Sequence, residues 1–177
     1  KFKLIHNNIV KGFGENHNNA FYFCNTKYFL VVNPDIIFPK NFIFQNLISY
    51  LKGSCGLVTG SIITNKNVVH PRKFPQIIDY LIFNKKIDLV KKPKFVDWIS
   101  GCFMLFKSKS FKAVNGFDEK FFLYMEDVDI CRRLKNKKIM ITVNPKVNII
   151  HNSKNKSYKS IEYLIFHIKS LYKYFLG

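Results

Sequence analysis

The chain has 177 residues, 29 Lys+Arg against 11 Asp+Glu, and a formal net charge of +18. That length suits one domain with a real core, and 47% hydrophobic residues with 16% aromatics exclude intrinsic disorder. Six Pro and eight Gly exclude collagen-like or linker-like chains.

The alternation of apolar runs with turn residues predicts strands and helices along most of the chain. Lys3-Leu4-Ile5 reads as the end of a short strand, and Gly12-Phe13-Gly14 as a turn into a helix from about Asn16 to Cys24. Tyr28-Phe29-Leu30-Val31-Val32 reads as a strand buried on both faces, as in a parallel sheet. It stops at Asn33-Pro34-Asp35, since Pro34 has no N–H for a ladder. Pro39 opens a predicted helix through Leu51, with Phe42, Ile43, Leu47 and Leu51 on roughly one face. Leu57–Ile63 is the next strand, and 64–94 a Lys-rich loop or insertion. Phe95–Phe106 resumes the sheet pattern, interrupted by Ser100-Gly101. A short helix near Ser108–Val114, a helix over Glu126–Lys135, strands at Ile139–Val143 and Val147–Ile150, and a C-terminal amphipathic helix complete the series. This alternation predicts an α/β layer fold with a largely parallel sheet.

The charge has two readings. A basic excess suggests nucleic acid or an anionic membrane. However, 26 of the 29 basic residues are Lys, and only Arg72, Arg132 and Arg133 supply the bidentate fork suited to phosphate. Ala is nearly absent while Phe, Ile, Asn and Tyr abound, which is what AT-rich coding produces. Compositional drift therefore outweighs a nucleic-acid footprint. Cys24, Cys55, Cys102 and Cys131 form neither a CxxC pair nor a Cys–His cluster at zinc spacing, and read as buried reduced thiols. No run of about 18 apolar residues suited to spanning a bilayer occurs.

Three places carry potential chemistry. Asp35 lies just beyond a buried strand, where open α/β sheets put ligands; it suits a divalent cation, although taken alone Asn-Pro-Asp reads more readily as an Asx turn. The stretch Gly116–Asp129 holds five carboxylates within twelve residues. Asp129 pairs with Arg133 at i,i+4 and acids favour a helix N-terminus, which accounts for Glu126 and Asp129 but not for Asp127. Asp127 and Asp129 point about 200° apart on a helix, so the DVD string is not a metal clasp. Asp35 is the better ligand, leaving Asp127 as a general base. His151 follows a strand and reads either as a ligand or as an ordinary histidine.

Five blocks together resemble family 2 glycosyltransferases, especially rhamnosyltransferase-like enzymes of O-antigen and capsule assembly. They are Gly12-Phe13-Gly14 with His17-Asn18, Val31-Val32-Asn33-Pro34-Asp35, and Asp97-Trp98-Ile99-Ser100-Gly101-Cys102-Phe103-Met104-Leu105. The run GFDEKFFLYMEDVDICRR (116–133) and Ile149-Ile150-His151, followed by SYKS, complete the set. The resemblance implies a Rossmann-like GT-A fold over 1–155, with a mixed, mostly parallel sheet flanked by helices. It also implies inverting transfer from a nucleotide-sugar donor, dTDP-L-rhamnose or else a UDP-hexose, to a glycan or polyprenyl-diphosphate-linked acceptor. Asp127 matches the catalytic base. Asp35 and His151 match a site for Mg²⁺ or Mn²⁺. Asn33, Asp97, Trp98, Ser100, Gly101 and Glu126 match donor or acceptor contacts, and Asn18 a place near the nucleotide; Arg72 and Pro75 match an Arg-before-Pro feature.

The same resemblance leads us to expect an incomplete N-terminus, since the chain starts at Lys1 in mid-pattern and lacks roughly one βαβ unit. The helix over 156–177 (regular from Tyr158) either packs on the domain or lies on an anionic membrane surface. Residues 131–177 hold eleven Lys/Arg and one acid, Glu162. The implied location is cytoplasmic, peripheral to the inner membrane face, with no nucleic-acid partner. A non-catalytic remnant and a basic nucleic-acid-binding module are the competing classes.

Overall fold

The computed structural model describes residues 3–64, 67–69, 73–77, 95–152 and 161–177. Arg72 and the SYKS segment at 157–160 lie outside the described residues. The elements are α1 (Phe13–Tyr22), β1 (Tyr28–Val32), β2 (Ile36–Ile37), α2 (Phe44–Ile48), β3 (Cys55–Thr64) and β4 (Asn67–Val69). They continue with β5 (Phe103–Lys107), α3 (Ser108–Ala113), α4 (Glu126–Asn136), β6 (Met140–His151) and α5 (Ile161–Leu176). The strands form one sheet of order β1-β5-β3-β6-β2, with β4 paired to β3.

The α/β class and the mixed sheet follow the sequence expectation, but the sheet is less parallel than predicted. Among the described residues, β3 and β6 are the parallel pair; β5 runs antiparallel to both β1 and β3, and β2 antiparallel to β6. Because β5 opposes both neighbours, β1, β3 and β6 still share one direction. Their C-terminal ends meet on one rim, and Asp35 and His151 stand there. Strand alternation predicts a crossover connection but does not reveal an inserted antiparallel strand such as β5.

The central position of β5 explains its composition. All five residues of Phe103–Lys107 are buried, with Met104 and Phe106 packing on one face and Phe103 and Leu105 on the other. The first face is covered by α1, α3 and α4 through Phe21, Phe111, Ile130 and Leu134, and by Phe117 from the turn between α3 and α4. The second is covered by α2 and its turns through Leu47 and Leu51. In contrast, β1 alternates rather than being buried throughout: Phe29 and Val31 enter the first cluster and Tyr28, Leu30 and Val32 are half-buried. Its one described neighbour is β5.

Four other expectations need correction. Lys3–Ile5 forms no strand. The helix expected over Pro39–Leu51 contracts to Phe44–Ile48; before it, a turn closes from Phe42 N to Pro39 O at 2.9 Å while Phe38 and Phe42 pack edge-on against Phe103 and Phe44 packs on both of them. The sheet run expected from Phe95 starts as a strand only at Phe103. The two strands predicted for 139–150 are a single β6 with an irregularity. Gly60 pairs with Asn144 but Ser61 pairs with Asn148, so three residues of β6 have no counterpart in β3. Pro145 lacks the N–H that a continuous ladder requires, and the chain bulges there. A Cβ on Gly60 would stand 2.4 Å from Val147 O, so the bulge rests directly on glycine.

Candidate active site

Beyond β1, the backbone turns at Asn33-Pro34-Asp35. Asn33 N donates to Cys102 O at 2.9 Å, and Ile36 N donates back to Asn33 O at 3.2 Å. The short β2 then pairs with the end of β6, Ile36 opposite His151, and Asn152 N donates to Asp35 O at 3.0 Å. These backbone bonds bring the two predicted metal ligands together: His151 Nε2 lies 3.3 Å from Asp35 Oδ1. That Oδ1 atom is buried and accepts no well-aligned hydrogen bond, although the Asp35 side chain as a whole is 40% exposed. A buried acceptor left in this state is costly without a partner. Among the described residues no group of three or more His, Cys, Asp or Glu side chains is arranged to hold a metal ion. This pair would therefore supply two protein ligands, with other oxygens required to complete a coordination sphere.

The second part of the site is the start of α4, which carries Glu126, Asp127 and Asp129 in its first turn, as the macrodipole favours. The three acids have separate fates. Asp129 is buried and held by Arg133 Nε at 2.7 Å and Arg132 at 3.3 Å, the predicted i,i+4 pair plus one neighbour. Arg133 in turn donates to the carbonyls of Val114 and Gly116. Asp129 is thus structural, and the DVD string is no metal clasp.

Asp127 Oδ2 accepts from the buried Gly101 N at 2.9 Å, and Oδ1 accepts from Val128 N at 2.8 Å. A Cβ on Gly101 would approach Asp127 Cβ at 3.3 Å, so the close approach favours glycine. Glu126 is 6% exposed and its Oε2 is unsatisfied. Burial, and secondly the charge of Asp127, push its carboxyl up to about 8. The adjacent carboxyls are therefore unequal. Glu126 is mostly a neutral acid at pH 7, whereas Asp127 is half-buried and anchored by backbone N–H groups.

Residues 100–102 join the two parts. Gly101 binds Asp127, and Cys102 O binds the Asn33 turn. The Cys102 thiol is pushed up to about 11 by burial, with further contributions from the charges of Asp127 and Asp35. The consecutive residues Gly101 and Cys102 therefore link the candidate base to the turn that carries Asp35. Ser100 lies in the same bend, its Oγ 3.5 Å from Cys102 N.

The other predicted residues are distributed differently. Trp98 Nε1 donates to Lys73 O at 2.9 Å, and its ring packs between the main core and the Phe121–Met125–Val128–Tyr174 cluster. Asp97 accepts from Phe74 N and from Lys135 Nζ at 2.5 Å. With Ser54, Lys138 and Met140 it lines a cleft of about 370 Å³ at the start of β3 and β6, the end opposite Asp35. Asn18 has both amide ends committed to the Gly116 turn: Phe117 N donates to Oδ1, and Nδ2 donates to Phe117 O and Glu119 Oε1, each at 2.9 Å. It braces the acidic block from α1.

One feature had no sequence signal. Tyr124 and Met125 have φ of 69° and 66°, two consecutive left-handed residues just before α4. Neither is Gly, Asn or Asp, and each costs roughly 1–2 kcal/mol in that conformation. The surrounding structure must hold them there. Gly12 shows one side of that support: Phe13 N donates to Phe122 O at 2.8 Å, and a Cβ on Gly12 would meet the same oxygen at 2.7 Å.

The class of protein is set by comparison with known sequences and folds. The family described as Glycosyl transferase family 2 matches residues 1–114, and the chain belongs to that family. Its fold is GT-A. It is homologous to the Rhamnosyltransferase WbbL of Escherichia coli (strain K12), with 31% identity over 93% of this chain and 70% of that protein. The N-acetylglucosaminyl-diphospho-decaprenol L-rhamnosyltransferase of Mycobacterium tuberculosis is 35% identical over 44% of this chain; the match spans 25% of that enzyme. Residues 82–159 also match the family described as N-terminal domain of galactosyltransferase. Among solved structures, GalNAc-T7 with UDP, GalNAc and Mn²⁺ has a TM-score of 0.63 at 8% identity, covering 83% of this chain and 31% of that one. The catalytic domain of Drosophila beta1,4galactosyltransferase 7 has a TM-score of 0.53 at 16% identity, covering 85% of this chain and 54% of that one. These two likenesses bear on fold.

Proposed function

We propose that this protein transfers L-rhamnose from dTDP-L-rhamnose, with inversion, to a hydroxyl of a polyprenyl-diphosphate-linked glycan in surface-polysaccharide assembly. The observation that carries this reading is the joining of Asp127 to the Asp35–His151 pair through Gly101 and Cys102, in a chain homologous to a rhamnosyltransferase. Asp127 takes the proton from the acceptor hydroxyl as its oxygen bonds to the anomeric carbon. The bond from that carbon to the donor phosphate oxygen breaks, and the nucleoside diphosphate leaves with the electron pair. Asp35 and His151 would hold Mg²⁺ or Mn²⁺, which stabilises the departing diphosphate when bound. The buried Asp35 Oδ1, which accepts no hydrogen bond and has His151 Nε2 at 3.3 Å, suits a hard cation. Ser100, Gly101 and Asn33 shape the ground between base and metal pair. Transfer assays with membranes bearing lipid-linked acceptor should show dTDP-L-rhamnose consumed at least about tenfold faster than a UDP-hexose. The reverse order would reassign the donor and keep the chemistry.

The acceptor class suggests where the protein works. Helix α5 buries Ser170 and Tyr174 against the domain, yet Ile161, Leu164, Ile165, Ile168, Tyr172 and Leu176 remain exposed at helical spacing. One face of the helix thus packs on the domain, and the exposed stripe on the other supports the membrane-surface reading. No helix of the described residues is long and apolar enough to cross a membrane. An apolar stripe flanked by Lys169 suits peripheral binding to an anionic leaflet, at the cytoplasmic face where nucleotide-sugars are available. In vesicle flotation, Leu164→Ser with Ile168→Ser should reduce recovery on anionic vesicles on the order of tenfold. Equal recovery would remove the stripe as a membrane contact.

A further inference from the structure

We infer that α5 is a positioning clamp for Asp127, acting through the left-handed Tyr124–Met125 turn. The inference rests on the reading of Asp127 as the base, but it is tested separately. Every residue from Lys120 to Met125 meets the inner face of α5. Lys173 Nζ donates to Lys120 O. Phe121 and Met125 pack with Tyr174. The Phe122 ring lies 4.7 Å from Phe166, and the Tyr124 ring 5.0 Å from His167. Ser170, 2% exposed, donates from Oγ to Leu123 O at 2.8 Å.

On its other side the same segment is held by α1, through Phe13 N to Phe122 O. A turn unfavourable for both its residues is therefore gripped between two helices, and Asp127 begins two residues after it. Helix α4 is also tied to α5 directly: the Arg132 guanidinium lies 4.4 Å from the Tyr174 ring centre and donates to Tyr174 O at 3.5 Å. If the turn relaxes toward right-handed geometry, the first turn of α4 must rotate, and the 2.9 Å contact from Gly101 N to Asp127 Oδ2 is lost. Ser170, His167 and Phe166 are thus positioning residues. They touch the turn, and the turn aims the carboxylate.

The Gly101 amide reports on this directly, because it is buried and donates to Asp127. In amide hydrogen exchange on the full chain, Ser170→Ala should speed exchange at Gly101 at least about tenfold, with Val58 and Leu105 unchanged. Ser170→Thr, which keeps the hydroxyl, should restore it. In turnover assays the same Ala variant should lower kcat with donor KM unchanged. Should Ser170→Ala fail to fold, Phe166→Leu loosens the Phe122 contact and is read the same way. Unchanged Gly101 exchange, or equal acceleration at Val58 and Leu105, overturns the clamp. Turnover retained in Asp127→Asn would remove the base assignment and leave the Gly101 result standing.

Discussion

Replacing Asp127 by Asn is expected to lower kcat by about 10²–10⁴-fold, the usual contribution of a positioned general base, with little change in stability or donor KM. The amide is nearly isosteric, and its single oxygen can still accept from Gly101 N, so the link between α4 and the 100–102 bend survives while the local bond from Val128 N is given up. What is lost is the ability to take a proton. The local electrostatics should change in step: the charge that helps raise the Glu126 carboxyl disappears, and that carboxyl moves down from about 8. The informative control is Asp129→Asn. Asp129 is buried against Arg132 and Arg133, so its loss leaves charge unpaired and should cost stability, on the order of 3 kcal/mol, before it costs chemistry. Steady-state kinetics and thermal melts on both variants separate the roles. Full turnover in Asp127→Asn would exclude it as the base.

Replacing Asp35 by Ala is expected to weaken Mn²⁺-dependent binding of the donor nucleotide by about 10–100-fold and to leave metal-free binding nearly unchanged. The effect should be large because the described residues offer few alternatives; His151 is the one metal-ligating side chain shown beside Asp35. Calorimetric titration of dTDP with Mn²⁺, and again with EDTA, gives the comparison. The wild type with EDTA and the variant with Mn²⁺ should converge. An unchanged Mn²⁺ response in the variant would exclude Asp35 as the ligand. The backbone offers a safeguard against mere unfolding, since Asn152 N bonds to Asp35 O and Asn33 N to Cys102 O whatever the side chain.

Much of the site was legible in sequence because its signals are local. Asp127 stands out since Asp129 and Arg133 account for each other at helical spacing, leaving one acid unexplained. The contraction of the Pro39–Leu51 helix was not legible. Phe42, Ile43 and Leu47 fit a helical face, but Phe38 and Phe42 find a better partner in Phe103, far along the chain, and Phe44 packs on Phe42. Likewise Asn18 and His17 sit in a block shared with family members, yet Asn18's amide is spent on a turn 99 residues distant. The left-handed pair at Tyr124–Met125 left no trace either. Neither residue type favours that conformation, and its supports come from Gly12 and from α5. Ser170, a small polar residue inside an apolar helix face, was the nearest clue to a buried carbonyl opposite it.

The bulge in β6 has a consequence for how this chain tolerates insertion and deletion. Three unmatched residues between Asn144 and Asn148 set which side chain arrives opposite Ile36. Were that excess pulled straight, Asn148 rather than His151 would stand at that level. A change by one residue would also reverse which face each later side chain points toward. Surface loops generally absorb such edits, but here the length of an irregular stretch is itself the address of the histidine that faces Asp35. Gly60, pressed under Val147 O, locks that length from the neighbouring strand. Homologues that vary at Pro145–Val147 should therefore vary in count only together with the residue that faces Asp35.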